Sequence, residues 1–315
     1  MIAGAQAMAA PVARTLIDSR APRRLGGETA RIAVGCLYTE LVLYPKPGLV
    51  SLVDNGSHAD MTAATFMRSL FALRHYFARI CQAGVDNAPF CVLRQLGIEA
   101  EARMLRATGG VNTHRGAIFC LGMLCAAIGR VRAQGMLLDN SLDAALGADQ
   151  LRAVMLIRWG DALADHTLAG GATSHGLQVA EMHAASGARE EVALGLPSVF
   201  DVGLPALRRT LAAGRGMHLA RIDALFALMA HVSDTNVFYR GGARGALVVK
   251  QQAQGFLDIG GTAHPHWREY ALRCHRLFVG QKLSPGGAAD LLAATCLVHA
   301  VTSGGGWRNP ATTLS

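Results

Sequence analysis

The amino-acid sequence predicts an all-α protein: a single-domain bundle of about ten helices whose functional residues lie in the inter-helix loops and at helix N-termini. Apolar residues recur every three or four positions along most of the chain, which is the spacing of one helix face. No segment shows the alternation of a half-buried strand, and no Asn-Gly hairpin joins two strands. A chain of 315 residues, of which 51% are hydrophobic and 17% charged, is sufficient for one sizeable core.

The first predicted helix covers residues 61–82 and can begin with either Asp60 or Thr62 as its N-cap. Its apolar stripe consists of Phe66, Leu70, Leu73, Phe77 and Ile80. Further helices are predicted at 89–107, from 113 onwards, and at 141–165, 176–186, 203–213, 218–233, 243–258, 265–281 and 286–302. No repeat or linker divides the chain, so one helical domain is expected at 28–303, between a flexible extension at 1–27 and a flexible tail at 304–315.

Composition excludes several classes of protein. The formal net charge of +8 comes almost entirely from arginine and favours polyanionic partners such as nucleotides. The basic residues are scattered and aromatic residues make up only 6%, which argues against a nucleic-acid partner. No apolar run reaches the length of a membrane span, so no membrane partner is expected. Seven cysteines without a C-x-x-C pair indicate reduced thiols in a cytoplasmic protein.

Residues 44–61, YPKPGLVSLVDNGSHADM, form the first polar loop. Its prolines prevent a helix, and the loop leads into the start of the helix at 61–82. Lys46 and His58 could hold phosphate near the free amides of that helix. Asp54 and Asp60 could bind Mg²⁺ or accept a proton. The alternative is a simple connection in which Asp60 is only an N-cap.

The second polar loop is TGGVNTHRGAIF, residues 108–119, in which two glycines end one helix and Asn112 and Thr113 begin another. His114 and Arg115 lie at the helix start, where positive charge opposes the helix dipole and calls for a compensating anion. The spacing is not that of a Walker loop. The alternative is a glycine C-cap followed by a threonine N-cap.

The third and fourth polar loops combine acidic, basic and glycine residues in the same way. In SDTNVFYRGGARG (233–245), Asp234 is an oxygen ligand of the kind that Mg²⁺ takes, and Arg240 and Arg244 beside glycines suit phosphate. In LSPGGAADLL (283–292), Ser284 directly precedes the start of the helix predicted at 286–302. Gly286 and Gly287 lie in its first turn, and Asp290 lies one turn further along. The two glycines are poor helix formers that would let a ligand approach closely. Ordinary capping is the alternative for both loops.

Five motifs occur in a fixed order along residues 30–303: PKPGLV with NGSHADM, GIEAEARML with ATGGVNTHRGAIF, GARxE with GLP, DTN with RGG, and SPGGAADLL. In this order they resemble the triphosphoribosyl-dephospho-coenzyme A synthases. The resemblance implies a transferase that joins the ribose of ATP to the 2′-hydroxyl of 3′-dephospho-coenzyme A and releases adenine. The product would be the precursor of a prosthetic group, which a phosphoribosyl-dephospho-coenzyme A transferase moves onto an acyl carrier protein.

Two departures favour one branch of this family. The branch that serves citrate lyase usually has Asp after PKPGLV and Lys in NTHKG, whereas this chain has Ser51 and Arg115. Both residues resemble the branch that serves malonate decarboxylase, so that branch is preferred and the citrate lyase branch is the alternative. Ser51 also puts in doubt a catalytic role for an acidic group at that position.

The implied reaction suggests roles for the loop residues. Displacing adenine from a ribose passes through an oxocarbenium-like centre and needs a base for the attacking hydroxyl. Asp60, with His58 beside it, is expected to be that base or its orienting partner, and Mg²⁺ to be the cofactor. Phosphate or substrate is expected to be bound by Lys46, Asn112, Thr113, His114, Arg115, Arg240, Arg244, Ser284, Gly286 and Gly287. The expected Mg²⁺ ligands are Asp54, Asp234 and Asp290.

Two other classes of function remain open from the residues alone. The protein could be a nucleoside triphosphate hydrolase or phosphotransferase, which would release ADP or pyrophosphate instead of adenine. It could also be a non-enzymatic helical adaptor whose loops only cap helices. The sequence leaves open whether the chain forms a homodimer.

Overall fold

The computed structural model describes residues 21–134, 144–169 and 187–303. In these residues the chain forms eleven α-helices and no strand, which confirms the predicted all-α bundle. The helices are α1 Ala21–Leu41, α2 Ala63–Val85, α3 Phe90–Thr108, α4 Arg115–Ala133, α5 Ala144–Ala169, α6 Ala188–Ala193, α7 Leu204–Ala212, α8 Gly216–His231, α9 Thr235–Asp258, α10 Trp267–Gly280 and α11 Gly286–Thr302. A π-helical turn, Ser198–Gly203, precedes α7.

The core lies between α4, α8 and α11, whose residues are apolar around most of each helix. Helix α2 packs on α1, α3 and α4, while α11 packs on α1, α4, α5 and α8. Helix α4 is long and apolar enough to pass a composition test for a membrane span, but 72% of that stretch is buried inside the protein. Such burial is typical of the core helix of a soluble bundle. All seven cysteines are free, and all except Cys91 are buried.

The structure differs from the sequence-based expectation at several helix boundaries. Helix α1 was missed altogether, and it includes residues 21–27, which the sequence assigned to the extension. Helix α2 begins at Ala63, with Thr62 as its N-cap in a reciprocal pair with Thr65. Asp60 is therefore not the cap of this helix. The predicted helix at 176–186, the tail at 304–315 and the rest of the extension lie outside the described residues.

Two features of the backbone shape the region of the polar loops. Gly48 has φ +71°, and a Cβ there would overlap the carbonyl oxygen of Leu283. Only glycine allows the α1–α2 loop, residues 42–62, to lie this close to the turn before α11, residues 281–285. Helix α9 is interrupted at Gly242, where φ is 59° and ψ is −162°. The interruption lies between Arg240 and Arg244 and separates the two halves of that helix.

Candidate functional site

Three segments distant in sequence meet at the candidate site: the α1–α2 loop, the N-terminal part of α9 and the turn before α11. Ser57 joins them, because its Oγ donates to the carbonyl oxygens of Leu283, at 2.5 Å, and Phe278, at 3.3 Å. Arg240 on α9 donates from Nη1 to the carbonyl oxygen of Ser57 at 3.1 Å. Three of the predicted polar loops therefore form one continuous surface.

His58 lies at the centre of this surface. Its Nε2 is 2.7 Å from Oγ of Ser284, and its Nδ1 is 3.0 Å from Nη2 of Arg240. Oδ1 of Asp60 lies 3.6 Å from the same Nδ1. Burial lowers the pKa of His58, the charge of Arg240 lowers it further, and Asp60 opposes both effects. The predicted residues His58, Asp60, Arg240 and Ser284 are thus brought together.

Asp60 differs from its neighbours in exposure. Its side chain is 60% exposed, while the side chain of His58 is 9% exposed. Because Thr62 is the N-cap of α2, the carboxylate of Asp60 does not cap that helix. An exposed carboxylate beside a fixed imidazole can meet a substrate hydroxyl and accept its proton.

Lys46 is placed differently from the sequence-based expectation. Its Nζ donates to Oε1 of Glu40 at 2.7 Å and to the Glu40 carbonyl oxygen at 2.8 Å. The residue is 1% exposed, and burial lowers its pKa although Glu40 opposes that shift. The ammonium group is therefore paired inside the protein in this conformation, and it fastens the α1–α2 loop to the end of α1.

The side chains of the loop at 108–119 form hydrogen bonds within the loop and to α2 and α3. Oδ1 of Asn112 accepts a hydrogen bond from the Arg115 amide at 3.1 Å at the start of α4. Thr113 donates from Oγ1 to Oγ of Ser69 at 2.8 Å, and Ser69 lies 2.7 Å from Nδ1 of His114. The Arg115 guanidinium is exposed and pairs with Glu101, with Nε 2.7 Å from Oε1. Arg115 remains accessible to an anion from solvent.

His114 is almost fully enclosed, with 2% exposure. Its ring packs edge-on against Phe66 with ring centroids 5.0 Å apart. Burial, with a smaller contribution from the charge of Lys46, lowers its pKa to about 3, so the imidazole is neutral. Its Nε2 is buried and has no hydrogen-bond partner within the described ranges. A neutral enclosed ring cannot neutralise phosphate, so His114 is not a surface anion ligand in this conformation.

Asp234 links two helix N-termini. Its Oδ1 accepts from the Asn236 amide in the first turn of α9 at 2.9 Å, and its Oδ2 accepts from the Ala288 amide of α11 at 3.1 Å. Burial raises the pKa of Asp234, and the backbone amides oppose that shift. A Cβ at Gly287 would lie 3.0 Å from Oδ2 of Asp234, and one at Gly286 would lie 3.0 Å from the side-chain Nδ2 of Asn236. The two predicted glycines thus leave room for side chains of the protein itself, the Asp234 carboxylate at Gly287 and the Asn236 side chain at Gly286.

Asp290 fills the corresponding position at α4. It accepts a hydrogen bond from the Ala117 amide, and a Cβ at Gly116 would overlap its Oδ2. Burial raises the pKa of Asp290 well above its ordinary value, and the charges of Glu40 and Asp234 raise it further. The start of α4 and that of α11, both predicted as anion sites, therefore already hold carboxylates.

Arg244 lines an open cleft of about 370 Å³. The other lining residues are Gly241, Gly245, Gln281 and Leu283. Leu283 directly precedes Ser284, so the cleft adjoins the surface around His58. No carboxylate lies within ion-pair distance of Arg240 or Arg244 in the part of the chain that the structure describes. The two arginines leave positive charge available for phosphate.

The three predicted Mg²⁺ ligands do not form a cage. Asp54 accepts from the Gly56 amide at 2.8 Å and lies 3.4 Å from Nε2 of His275. Asp234 and Asp290 lie within electrostatic range of each other, yet the described residues contain no group of three candidate metal ligands. Mg²⁺ is usually held by one or two carboxylates together with substrate phosphates. A metal ion at this site would therefore have to take most of its ligands from substrate phosphates and water.

The structure also shows polar residues that the sequence did not single out. Glu40 lies on the missed helix α1, Ser69 on the inner face of α2, and His275 on α10, with Nδ1 3.2 Å from the Lys46 carbonyl oxygen. Glu191 on α6 is buried, and its Oε1 accepts a hydrogen bond from Oγ of Ser198 at 2.5 Å. The local sequence around each of these residues is that of an ordinary helix, so only the tertiary structure shows that the residue makes a buried polar contact.

Comparison with known proteins assigns the chain to a family. The model of the CitG family, described as ATP:dephospho-CoA triphosphoribosyl transferase, matches residues 27–309. The chain belongs to this family. A protein of Acinetobacter calcoaceticus is 39% identical over 84% of the chain and 87% of its own length. It is named a probable 2-(5''-triphosphoribosyl)-3'-dephosphocoenzyme-A synthase, and so is a Pseudomonas fluorescens Pf0-1 protein that is 40% identical over 89% of the chain and 94% of its own length.

A third CitG relative, from Pectobacterium atrosepticum, is named 2-(5''-triphosphoribosyl)-3'-dephosphocoenzyme-A synthase. It is 37% identical over 93% of the chain and 95% of its own length. No solved structure matches the chain. Membership of the CitG family confirms the resemblance seen in the five motifs and makes the protein an enzyme of the transferase class.

The two positions that bear on the branch of the CitG family have different surroundings. Ser51 is buried, and its Oγ accepts from the amides of Val53, at 3.1 Å, and Asp54, at 3.3 Å. Arg115 is exposed and faces Glu101. Ser51 thus shapes the loop, whereas Arg115 can meet a ligand.

Proposed function

We propose that this protein transfers the triphosphoribosyl group of ATP to the 2′-hydroxyl of 3′-dephospho-coenzyme A and releases adenine. The match of the CitG family model to residues 27–309 is the observation that carries the proposal. The site adds support, because it places an exposed carboxylate beside a fixed imidazole and near two arginines that have no carboxylate partner among the described residues.

The proposed reaction forms one bond and breaks one. The 2′-hydroxyl oxygen of dephospho-coenzyme A bonds to C1′ of the ATP ribose, and the bond from C1′ to adenine breaks with its electron pair leaving on the base. The hydroxyl proton passes to Asp60, and adenine takes up a proton as it leaves. The triphosphate is retained, so the site must bind it without cleaving it.

Arg240, Arg244 and Arg115 are the side chains that we propose for holding the triphosphate and the diphosphate of the second substrate. The first two flank the interruption of α9, and Arg244 lines the open cleft. Mg²⁺ would neutralise part of the phosphate charge when it binds with ATP. Asp234 or Asp290 would be its carboxylate ligand from the protein. Lys46 and His114 are buried, so we propose that they hold the neighbouring loops in place and do not contact phosphate.

Product identification tests this function. Incubation with ATP, Mg²⁺ and dephospho-coenzyme A should release adenine in amounts equal to the dephospho-coenzyme A consumed, and omission of dephospho-coenzyme A should abolish the release. Release of ADP or pyrophosphate would instead identify a phosphotransferase or hydrolase. Absence of nucleotide binding in calorimetry would indicate a helical adaptor.

We further propose that the product serves malonate decarboxylase in the cytoplasm. Ser51 and Arg115 favour this branch over the one that serves citrate lyase. Both branches make the same molecule, so the test must be made in the source cell. Deletion of the gene should leave the acyl carrier protein of malonate decarboxylase without its prosthetic group, as measured by its mass. A fully modified malonate carrier protein together with an unmodified citrate lyase carrier protein would reverse the assignment.

A further inference from the structure

The hydrogen bonds of His58 define which of its nitrogens carries the proton. A guanidinium group only donates, so Nδ1 of His58 must accept from Nη2 of Arg240, which is 3.0 Å away. In the neutral ring the proton is then on Nε2, from which it is donated to Oγ of Ser284 at 2.7 Å. Both nitrogens are therefore engaged, and the ring has no lone pair left to remove a proton from a substrate.

Arg240 holds this arrangement at two points. Nη1 donates to the carbonyl oxygen of Ser57 and Nη2 to the ring of the adjacent residue, His58. Such a fork fixes both the position and the orientation of the guanidinium group. The surroundings of His58 in the described residues contain one further charged group, Asp60, which belongs to the same loop. Ser284 is the contact from the turn before α11, and it is uncharged.

We propose that Arg240 is a positioning residue that holds His58 as the neutral tautomer with its proton on Nε2, and that Asp60 alone accepts the substrate proton. The second part rests on the proposed function, while the first part is independent of it. The exposure of the Asp60 carboxylate agrees with this division. The lowered pKa of His58 also agrees, because burial and the charge of Arg240 both disfavour the imidazolium form.

Nitrogen-15 NMR of the histidine rings in the full chain tests the first part without any substrate. His58, assigned through its loss in His58→Gln, should show a protonated Nε2 and an unprotonated Nδ1 near neutral pH. In Arg240→Gln the repulsive charge is gone while Asp60 remains, so His58 should titrate at a higher pH than in the unsubstituted protein. Arg244→Gln, which removes a nearby arginine that does not contact the ring, should leave both observations unchanged.

Two results would overturn the first part: a proton on Nδ1 in the unsubstituted protein, or an unchanged titration of His58 in Arg240→Gln. If Arg240→Gln does not fold, the tautomer in the unsubstituted protein decides the matter by itself. Folding of each variant is checked by thermal unfolding and by the resonances of distant histidines.

Adenine release tests the second part. Glutamine at position 58 can accept from Arg240 and donate to Ser284 but cannot serve as a base, so His58→Gln should keep its kcat within about tenfold of the original. Arg240→Gln should lower kcat through the loss of His58 positioning and raise KM for ATP through the loss of the proposed phosphate contact, so the titration of His58, and not KM, reports the positioning role. A loss of about 10²-fold or more in His58→Gln would make His58 the base and contradict the assignment. If the unsubstituted protein releases no adenine, the proposed function fails, and the NMR result still stands.

Discussion

The Nζ atom of Lys46 lies 2.7 Å from Oε1 of Glu40, and both residues are almost fully buried. The pair joins the α1–α2 loop, which also carries His58 and Asp60, to the last turn of α1. An ion pair inside a protein loses its hydration, so its members depend on each other. We therefore expect the pair to hold the loop in place and to contribute to stability mainly when both members are present.

Breaking this pair from one side should be costly. Glu40→Gln leaves the buried ammonium of Lys46 without its counter-charge, and the free energy of unfolding should fall by about 3–5 kcal/mol. The exposed pair of Arg79 and Glu99 provides a control, because solvent screens that pair and Glu99→Gln should cost far less than Glu40→Gln. Urea denaturation measures both values. Equal losses in the two variants would show that the buried pair is not a distinct stabilising contact.

Removal of the Asp60 carboxylate should affect the reaction and not the fold. Asp60→Asn should lower the rate of adenine release by at least about 10²-fold while ATP binding stays within about twofold. Thr62→Ala is the matched variant, because it removes the N-cap of α2 and should cost about 1 kcal/mol of stability with little change in rate. A near-normal rate in Asp60→Asn would remove Asp60 from the mechanism.

A methyl group at Gly116 should disturb the start of α4. The Cβ would overlap Oδ2 of Asp290, so Gly116→Ala should displace that carboxylate and cost about 1–3 kcal/mol. At Gly97 on α3 the nearest atom to a new Cβ is the Tyr76 hydroxyl at 3.8 Å, so Gly97→Ala should be neutral or stabilising by up to about 1 kcal/mol. Thermal unfolding compares the two. The interpretation fails if Gly116→Ala is as well tolerated as Gly97→Ala.

The buried imidazole of His114 should make stability depend on pH. Its pKa is about 3 in the folded protein and near 6.5 in an ordinary setting, so the unfolded chain binds more protons between these values. The free energy of unfolding should therefore fall as the pH drops below about 6.5, by up to about 1.4 kcal/mol per pH unit from this group.

His114→Gln is the variant that isolates this effect. Urea denaturation between about pH 7 and pH 5 should show a shallower loss of stability in the variant than in the original protein. His299, whose pKa burial lowers to about 4, contributes equally in both proteins and cancels in the comparison. Parallel curves over this range would show that His114 is not buried in its neutral form.

Local patterns in the sequence predicted the fold well. Apolar periodicity located α11 to the residue and most other described helices to within a few residues, because each buries one stripe or an entire surface. Helix α1 was missed, since Pro22 near its start and the adjacent glycines Gly26 and Gly27 weaken the helical signal. Because α1 was missed, Glu40 was missed as well, and Glu40 is the ion-pair partner that holds Lys46 in the interior.

The candidate site could be predicted only in part. Residue types and loop chemistry indicated His58, Asp60 and Arg240, but His58 and Ser284 are 226 residues apart, and no local pattern places them in contact. In the sequence, Asp234 and Asp290 look the same as aspartates that bind a metal ion. Whether such a carboxylate faces solvent or the start of another helix is decided by tertiary packing.

The central claim is that the ribose and all three phosphates of ATP move together onto dephospho-coenzyme A. The most direct measurement uses ATP labelled in both the ribose and the γ-phosphate, followed by isolation of the coenzyme-derived product and determination of its mass and label content. We expect a product that carries both labels in equal amounts, with adenine as the other product. A product with the phosphate label alone, or release of labelled orthophosphate, would contradict it.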